Sequence, residues 1–489
     1  MRHALRVTRK AGVFFAVLAT AAVWSRPVTA QSAQPQSQST QQEIRQLRDK
    51  LQQMNLMMDE LKLELNALEQ QGQPPPAPGK KAPEQPQAVV SIPSEAVFVS
   101  AQTGTVPLEG PIVDEKNSIN LYGFAMLDSG YDFGQIQPNW FDTERPTQLP
   151  SFHNEFAPSG NVYAGVRQTR FGVKSASTTP LGDLSTVFEF ELFGTGVDAG
   201  QTTFRLRHAY GQLGAFGAGQ TWSPFMDIDV FPNTVEYWGP NGMVFFRNIQ
   251  VRWMPVRSER GSVTVALEKP GGSADQGAFA DRIELANVKA RFNFPDLSGN
   301  ARIKRDWGYL QGAAIVRKIG WIDTSGNPIN LGGSTVGWGI NTSSNLKVSK
   351  TNVAKLEITY GHGIENYMND APVDVGIKTN SLGRISGVAL PMLSAVTFLD
   401  HTWGERYTSS AGWSFLNIYN SNGQLPNAFH RGQYAVGNLL YHPISRVTMG
   451  GEFQWGRRSN LSDGFTFNDY RMQFSFKYDW SKRFPIPPL

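Results

Sequence analysis

Residues 471–480 read RMQFSFKYDW. In an extended chain Met472, Phe474, Phe476, Tyr478 and Trp480 share one side, and Arg471, Gln473, Ser475, Lys477 and Asp479 share the other. A tilted strand needs about 9–11 residues to cross a bilayer, which matches this stretch. The segment before it repeats the pattern, with Val447, Met449, Phe453 and Trp455 opposite Arg446, Thr448, Glu452, Gln454 and Arg458. Leu184, Phe188, Phe190 and Leu192 oppose Ser185, Glu189 and Glu191, and Leu356, Ile358 and Tyr360 oppose Lys355, Glu357 and Thr359. A charge at mid-depth in a bilayer costs about 2–4 kcal/mol, so the apolar rows are expected to face lipid and the charged rows a wet interior.

Working outward from there, period-two segments fall at 119–132, 166–175, 183–193, 203–213, 214–222, 248–256, 262–269, 300–306, 308–319, 336–348, 352–362, 393–403, 408–420, 432–443, 446–458 and 470–480. Short turns, such as 179–182 and 305–308, alternate with long connections at 133–165, 194–202, 223–247, 270–299, 320–335, 363–392, 421–431 and 459–469. Short turns on one side and long loops on the other indicate an all-β membrane protein, a 16-stranded antiparallel transmembrane barrel over residues 118–489. Trp222, Trp253, Trp338, Trp403, Trp413, Trp455 and Trp480 near strand ends suit interfacial girdles. Three segments, 309–318, 394–403 and 433–443, alternate poorly, and bulges or contacts between subunits are the expected reasons. The tail Ser481–Leu489 (SKRFPIPPL) is Pro-rich and is expected not to continue a central strand.

The chain ahead of the barrel has four parts. Residues 1–30 carry a basic start, an apolar stretch too short to span a bilayer, and a Val28-Thr29-Ala30 cleavage site, which together predict a secretory signal peptide. Residues 31–41 are Gln/Ser-rich and expected to be disordered. Over 42–70, Ile44, Leu47, Leu51, Met54, Met58, Leu61, Leu65 and Leu68 alternate spacings of three and four, a coiled-coil seam that needs partner helices to bury it. Residues 71–117 form a Pro-rich linker.

The charge of +4 includes five basic residues of the signal peptide. Removing them leaves 40 basic against 41 acidic residues, so bulk charge does not point to nucleic acid. There is no cysteine, which excludes disulfides, thiolate metal sites and Cys nucleophiles. His208 and the Gly361-His362-Gly363 histidine are isolated, and no HExxH, GxSxG or P-loop pattern occurs, so neither an enzyme nor a metal or other cofactor is expected.

A water-filled barrel selects by its bore and by rings of charge. The loop 223–247, SPFMDIDVFPNTVEYWGPNGMVFFR, is too apolar for a solvated loop and suits one tucked against the inner wall, with Asp227, Asp229 and Glu236 as its carboxylates. Strand phase sends Arg170, Lys174, Arg205, Arg207 and Arg252 to the lumen on neighbouring strands. A ladder of these residues facing the loop acids would set up a transverse field for an anionic or dipolar solute. The alternative is that the arginines pair with Glu189, Glu191 and Asp128 along the wall.

The stretches LYGFAMLDSGYDFG (121–134), RQTRFGVKS (167–175), TTPLGDLSTVFEFELFG (178–194), FRLRHAYGQLGAFGAGQTWSPFMD (204–227), WGPNG (238–242) and RNIQVRW (247–253) resemble the DcaP-like trimeric outer-membrane porins. The resemblance covers most of the chain, the coiled coil included, and is densest over 121–253. It implies a homotrimer in the outer membrane of a Gram-negative bacterium. Its coiled coils would gather as a three-stranded parallel bundle in the periplasm. It implies insertion by the barrel-assembly machinery, contact with outer-membrane lipid, no nucleic-acid partner, and passive uptake of small anions, especially dicarboxylic acids. Arg170, Arg205, Arg207 and Arg252 are the positions that carry over the basic lumen. Two readings compete with it: a non-selective or cation-tolerant pore, and a plugged barrel serving as a structural tether.

Overall fold

The computed structural model describes residues 117–326 and 330–487. The signal peptide, Gln/Ser segment, coiled coil and linker expected over residues 1–116 lie outside the described residues. Sixteen long strands follow: β1 (Ser118–Asp132), β2 (Arg170–Thr179), β3 (Gly182–Phe193), β4 (Thr202–Leu213), β5 (Phe216–Trp222), β6 (Arg247–Ser258), β7 (Gly261–Glu268), β8 (Asp296–Arg305), β9 (Gly308–Asp323), β10 (Gly333–Lys347), β11 (Asn352–His362), β12 (Pro391–Thr402), β13 (Tyr407–Ile418), β14 (Phe429–Ile444), β15 (Val447–Asn460) and β16 (Thr466–Pro485). Each pairs antiparallel with the next, and β16 returns to pair with β1 along the whole of β1, so the sheet closes on itself. Closure pairs the last strand with the first, so neither terminal strand is left as an open edge in hydrocarbon.

The burial pattern is that of a soluble protein turned inside out. Leu127, Phe171, Phe188, Ile249, Ile358 and Met472 are exposed, while Asp128, Glu189, Arg207, Glu357, Glu452 and Arg471 are buried. Polar side chains therefore line the inside and apolar ones cover the outside, as lipid requires. At the short-turn end, Gly308 has φ +131°, and a Cβ there would lie 1.9 Å from the Asn345 carbonyl, so this turn admits only glycine.

Three departures from the sequence reading have physical causes. First, β16 runs past Trp480: Ser481–Pro485 pair with Ser118–Tyr122 of β1. The tail's prolines stand at 485, 487 and 488, so Ser481–Phe484 keep their N–H groups for the ladder, and Pro485 sits at its last rung. Second, the second strand is interrupted. Asn161–Gly165 pair with the far end of β1, residues 166–169 break the ladder, and β2 resumes at Arg170. The break turns two consecutive side chains, Arg167 and Gln168, into the interior.

The third departure concerns the three poorly alternating segments, now in β9, β12 and β14. Alternation of exposure is clear in β9, but its inward face carries Ala313 and Ile315 beside Tyr309, Gln311 and Arg317. Likewise β12 turns Met392, Val396 and Phe398 inward, and β14 turns Tyr434, Val436 and Leu440 inward. These inward apolar residues meet the loop: Ala313, Ile315 and Met392, with Leu416 and Ile418 of β13, cluster with Phe225, Met226 and Val244; Val396, Phe398, Tyr434 and Val436 with Val230, Phe231 and Met243; and Leu440 with Val235. β14 has register shifts near its two ends. The common cause of the irregular pattern is an apolar stripe inside the barrel that receives a loop.

Candidate functional site

That loop is Ser223–Phe246, between β5 and β6, and it folds into the barrel. Phe225, Met226, Val230, Phe231, Val235, Met243 and Val244 are all buried. Burial of side chains of this size contributes roughly 1.5–3 kcal/mol each. Polar anchors set the path of the loop. Arg302 of β8 donates to Asp227 at 2.6 Å and also to Asp229. Tyr309 and Ser343 donate hydroxyls to Asp227 at 2.8 and 2.6 Å. The Lys355 ammonium holds the carbonyls of Asp229 and Phe231, each at 2.8 Å. Glu452 accepts the N–H groups of Val235 and Glu236 at 2.9 and 3.1 Å, and Glu357 accepts that of Val244 at 2.6 Å.

The loop carboxylates are thus engaged in seating the loop. Asp227 and Asp229 meet Arg302, and Glu236 accepts N–H groups from Trp238, Gly239 and Glu144. Burial raises Glu236 to about 7, against the pull of the Gly239 and Trp238 amides. Burial also raises Glu144, on the neighbouring loop, well above the usual carboxylate range, and the nearby Asp469 carboxylate adds to the shift.

The basic residues converge instead on two wall glutamates. Glu191 of β3 lies 2.6 Å from Arg207, 3.4 Å from Arg170, 3.6 Å from Arg205 and 3.8 Å from Arg247. It also accepts the Tyr237 hydroxyl at 2.5 Å. Glu189 lies 2.7 Å from Arg207 and 3.8 Å from Arg170, and accepts the Tyr122 hydroxyl at 2.7 Å. Four guanidiniums therefore share two carboxylates. Tyr237 is held in place by stacking on Phe193, ring centroids 3.7 Å apart.

The other expected residues sit apart from this cluster. Lys174 lies over the Tyr122 ring at 4.7 Å. Arg252 donates to the Gln250 amide oxygen and the Trp222 carbonyl. Asp128 accepts from Gln168, Gln473 and Ser475, not from an arginine. Pairing along the wall thus involves Glu189 and Glu191 but not Asp128.

Beside the cluster is a cavity of about 310 Å³. Arg205 and Arg247 supply its charge, Tyr237, Trp238, Phe245 and Phe246 its aromatic walls, and Asn366 and Asn369 its amides. The Arg205 side chain is 29% exposed, the most open of the four arginines. Trp238 is fixed by Arg145, whose guanidinium lies 3.9 Å from the Trp238 ring and 4.1 Å from the Trp140 ring. Arg145 in turn binds Asp370 at 2.9 Å, which ties three long loops together.

A family model for the DcaP outer membrane protein matches residues 94–473. The chain belongs to the DcaP outer membrane protein family. No curated protein matches it by sequence. The crystal structure of the outer membrane channel DcaP of Acinetobacter baumannii superposes with TM-score 0.61 at 18% identity, covering 74% of this chain and 97% of that one. An anion-selective porin from Comamonas acidovorans gives TM-score 0.48 at 8% identity, over 74% and 100% of the two chains. A loop-deletion mutant of OmpT from Vibrio cholerae gives 0.47 at 11%, over 75% and 100%. The DcaP-family barrel described here is thus an outer-membrane channel fold.

Several residues that shape this interior went unnoticed in the sequence. Arg302 and Arg317 carry the same inward phase as the predicted arginines, so strand alternation could have found them. Arg247, the last residue of the expected loop 223–247, is the first residue of β6. Arg317 of β9 binds Asp296 and Asp374 at 2.9 Å each and pins the 363–390 loop. Arg145 and Asp370 lie on separate loops, 225 residues apart, and no local pattern marks them.

Proposed function

We propose that this chain is a passive pore for small hydrophilic solutes that prefers small organic anions such as dicarboxylates. The observation that carries this reading is the unequal count at Glu189 and Glu191, four arginines to two carboxylates, next to the cavity lined by Arg205 and Arg247. Excess positive charge in a confined, low-dielectric passage raises the local concentration of anions. Two guanidiniums at one cavity suit a carboxylate by paired hydrogen bonds. The protein works in this reading as a homotrimer inserted by the barrel-assembly machinery. Its signal peptide is removed, and its coiled coil stands in the periplasm.

Planar-bilayer recording in a salt gradient tests the proposal. Wild type is expected to give a reversal potential of the sign for anions, and Arg205→Ala to move it toward cations. A cation-selective wild type, or an unchanged potential in Arg205→Ala, overturns the reading. The deep burial of the inserted loop favours one alternative, a plugged barrel acting as a tether, for which the mark is absence of ohmic conductance.

A further inference from the structure

The outer surface of the wall changes chemistry where β9 leaves the lipid band. The even-numbered residues of β9 form its outward row, on which Leu310 and Val316 are exposed. Val316 pairs with Leu297 of β8 and Trp338 of β10, which are exposed as well. An outward tryptophan beside aliphatic neighbours marks the boundary between hydrocarbon and headgroups. The next outward residue of β9 is Lys318, also exposed. From there β9 runs on to Asp323, at the long-loop end of the barrel. In outer-membrane barrels that end faces away from the periplasm.

Two more cations join Lys318 there. A short strand, Val288–Ala290, pairs with Trp321–Asp323 and extends the wall beyond β8. Lys289 stands opposite Ile322, and the Arg291 amide donates to the Gly320 carbonyl at 2.8 Å, so both residues share the outward face with Lys318. Both are exposed. Residues two apart on a strand face the same way about 7 Å apart, and diagonal neighbours on paired strands are about as close. The three cations therefore form one patch. Beside it the Lys318 ammonium lies 5.1 Å from the ring centroid of the exposed Phe294. Acids close in sequence are turned elsewhere. Asp323 has the opposite phase and accepts the Ser325 and Leu331 amides, and Glu284 binds Arg282 at 2.8 Å. Among the described residues, no carboxylate pairs with any of the three.

We propose that Lys289, Arg291 and Lys318 bind the phosphate groups of an acylated, phosphorylated glycolipid in the outer leaflet, whose acyl chains lie on Leu297, Val316 and Trp338. A lipid is the fitting ligand because the patch continues directly into a surface that already faces hydrocarbon. A water-soluble anion would leave that apolar surface unused. Each basic side chain at a membrane surface strengthens binding of an anionic lipid by roughly fivefold. The site lies on the outside of the wall, so it stands whatever solute the lumen prefers.

Native mass spectrometry of the protein purified from outer membranes into mild detergent, with lipid A as the probe, tests this. The variant carrying Lys289→Ala, Arg291→Ala and Lys318→Ala together is expected to bind lipid A at least about tenfold more weakly than wild type. Arg305→Ala, at the short-turn end, should bind it like wild type. Wild type should bind lipid A stripped of its phosphates as weakly as the triple variant binds the intact lipid, a measurement that needs no substitution. Inorganic phosphate in excess should leave the bound lipid in place. Equal binding of lipid A by wild type and the triple variant would overturn the proposal. So would wild type binding the dephosphorylated lipid or phosphatidylglycerol as tightly as lipid A, or release of the lipid by inorganic phosphate. A changed oligomeric state in the triple variant with lipid A binding intact would assign the patch to a neighbouring subunit and overturn it too.

Discussion

Among the lumen arginines, position relative to Glu189 and Glu191 separates structural from solute-facing roles. Arg207 is buried and meets both carboxylates, at 2.7 and 2.6 Å. Removing one partner of a buried pair costs about 3–5 kcal/mol, because the remaining charge is left uncompensated. Arg207→Ala is therefore expected to lower the temperature at which the folded barrel unfolds on gels of unheated and heated samples. Arg205 is partly exposed, and its nearest carboxylate is 3.6 Å away. A weakly held, open charge contributes little to stability. Arg205→Ala should keep the wild-type unfolding temperature while changing selectivity. Equal destabilisation of the two variants would contradict this division of roles.

The inserted loop is the element on which the channel's bore depends. It is seated by apolar residues against β9, β12 and β14, and by polar anchors of which Arg302 is the centre. Arg302 satisfies both Asp227 and Asp229. In Arg302→Ala the two carboxylates lose their cation, and Asp227 keeps the Tyr309 and Ser343 hydroxyls and the Asp229 amide. The first part of the loop is then expected to leave the wall, giving single channels with larger and noisier conductance than wild type. A conductance trace identical to wild type would mean that the apolar contacts alone hold the loop. The same seat explains the three strands whose alternation looked faulty. Their inward apolar residues are the receiving surface, so the sequence irregularity and the loop's unusual apolarity are two halves of one contact.

For the whole molecule, closure of the cylinder depends on the seam between β1 and β16. Fifteen register pairs join these strands, and five of them use the tail Ser481–Pro485. Deleting residues 481–489 would strip partners from Ser118–Tyr122, at the start of the barrel, and reopen a sheet edge. The truncated chain is expected to assemble slowly and to yield less protein that resists SDS without heating. Wild-type yield would show that closure up to Trp480 is enough.

What the sequence determined by itself is the barrel: its strand count, the inward and outward rows of the strands that alternate cleanly, and the loop that could not live in solvent. These follow from a local rule, because each residue's face depends only on its parity within a strand. Tertiary structure alone decided how the interior charges are shared. Asp227 and Asp229 could have faced the arginine ladder, but closure brought Arg302 to them. Glu452 holds the Val235 amide across 217 residues of chain. Arg247, at a loop's edge in sequence, joined Glu191. Such pairings depend on which strands meet across a closed cylinder, and one strand's pattern carries no information about what stands on the opposite wall.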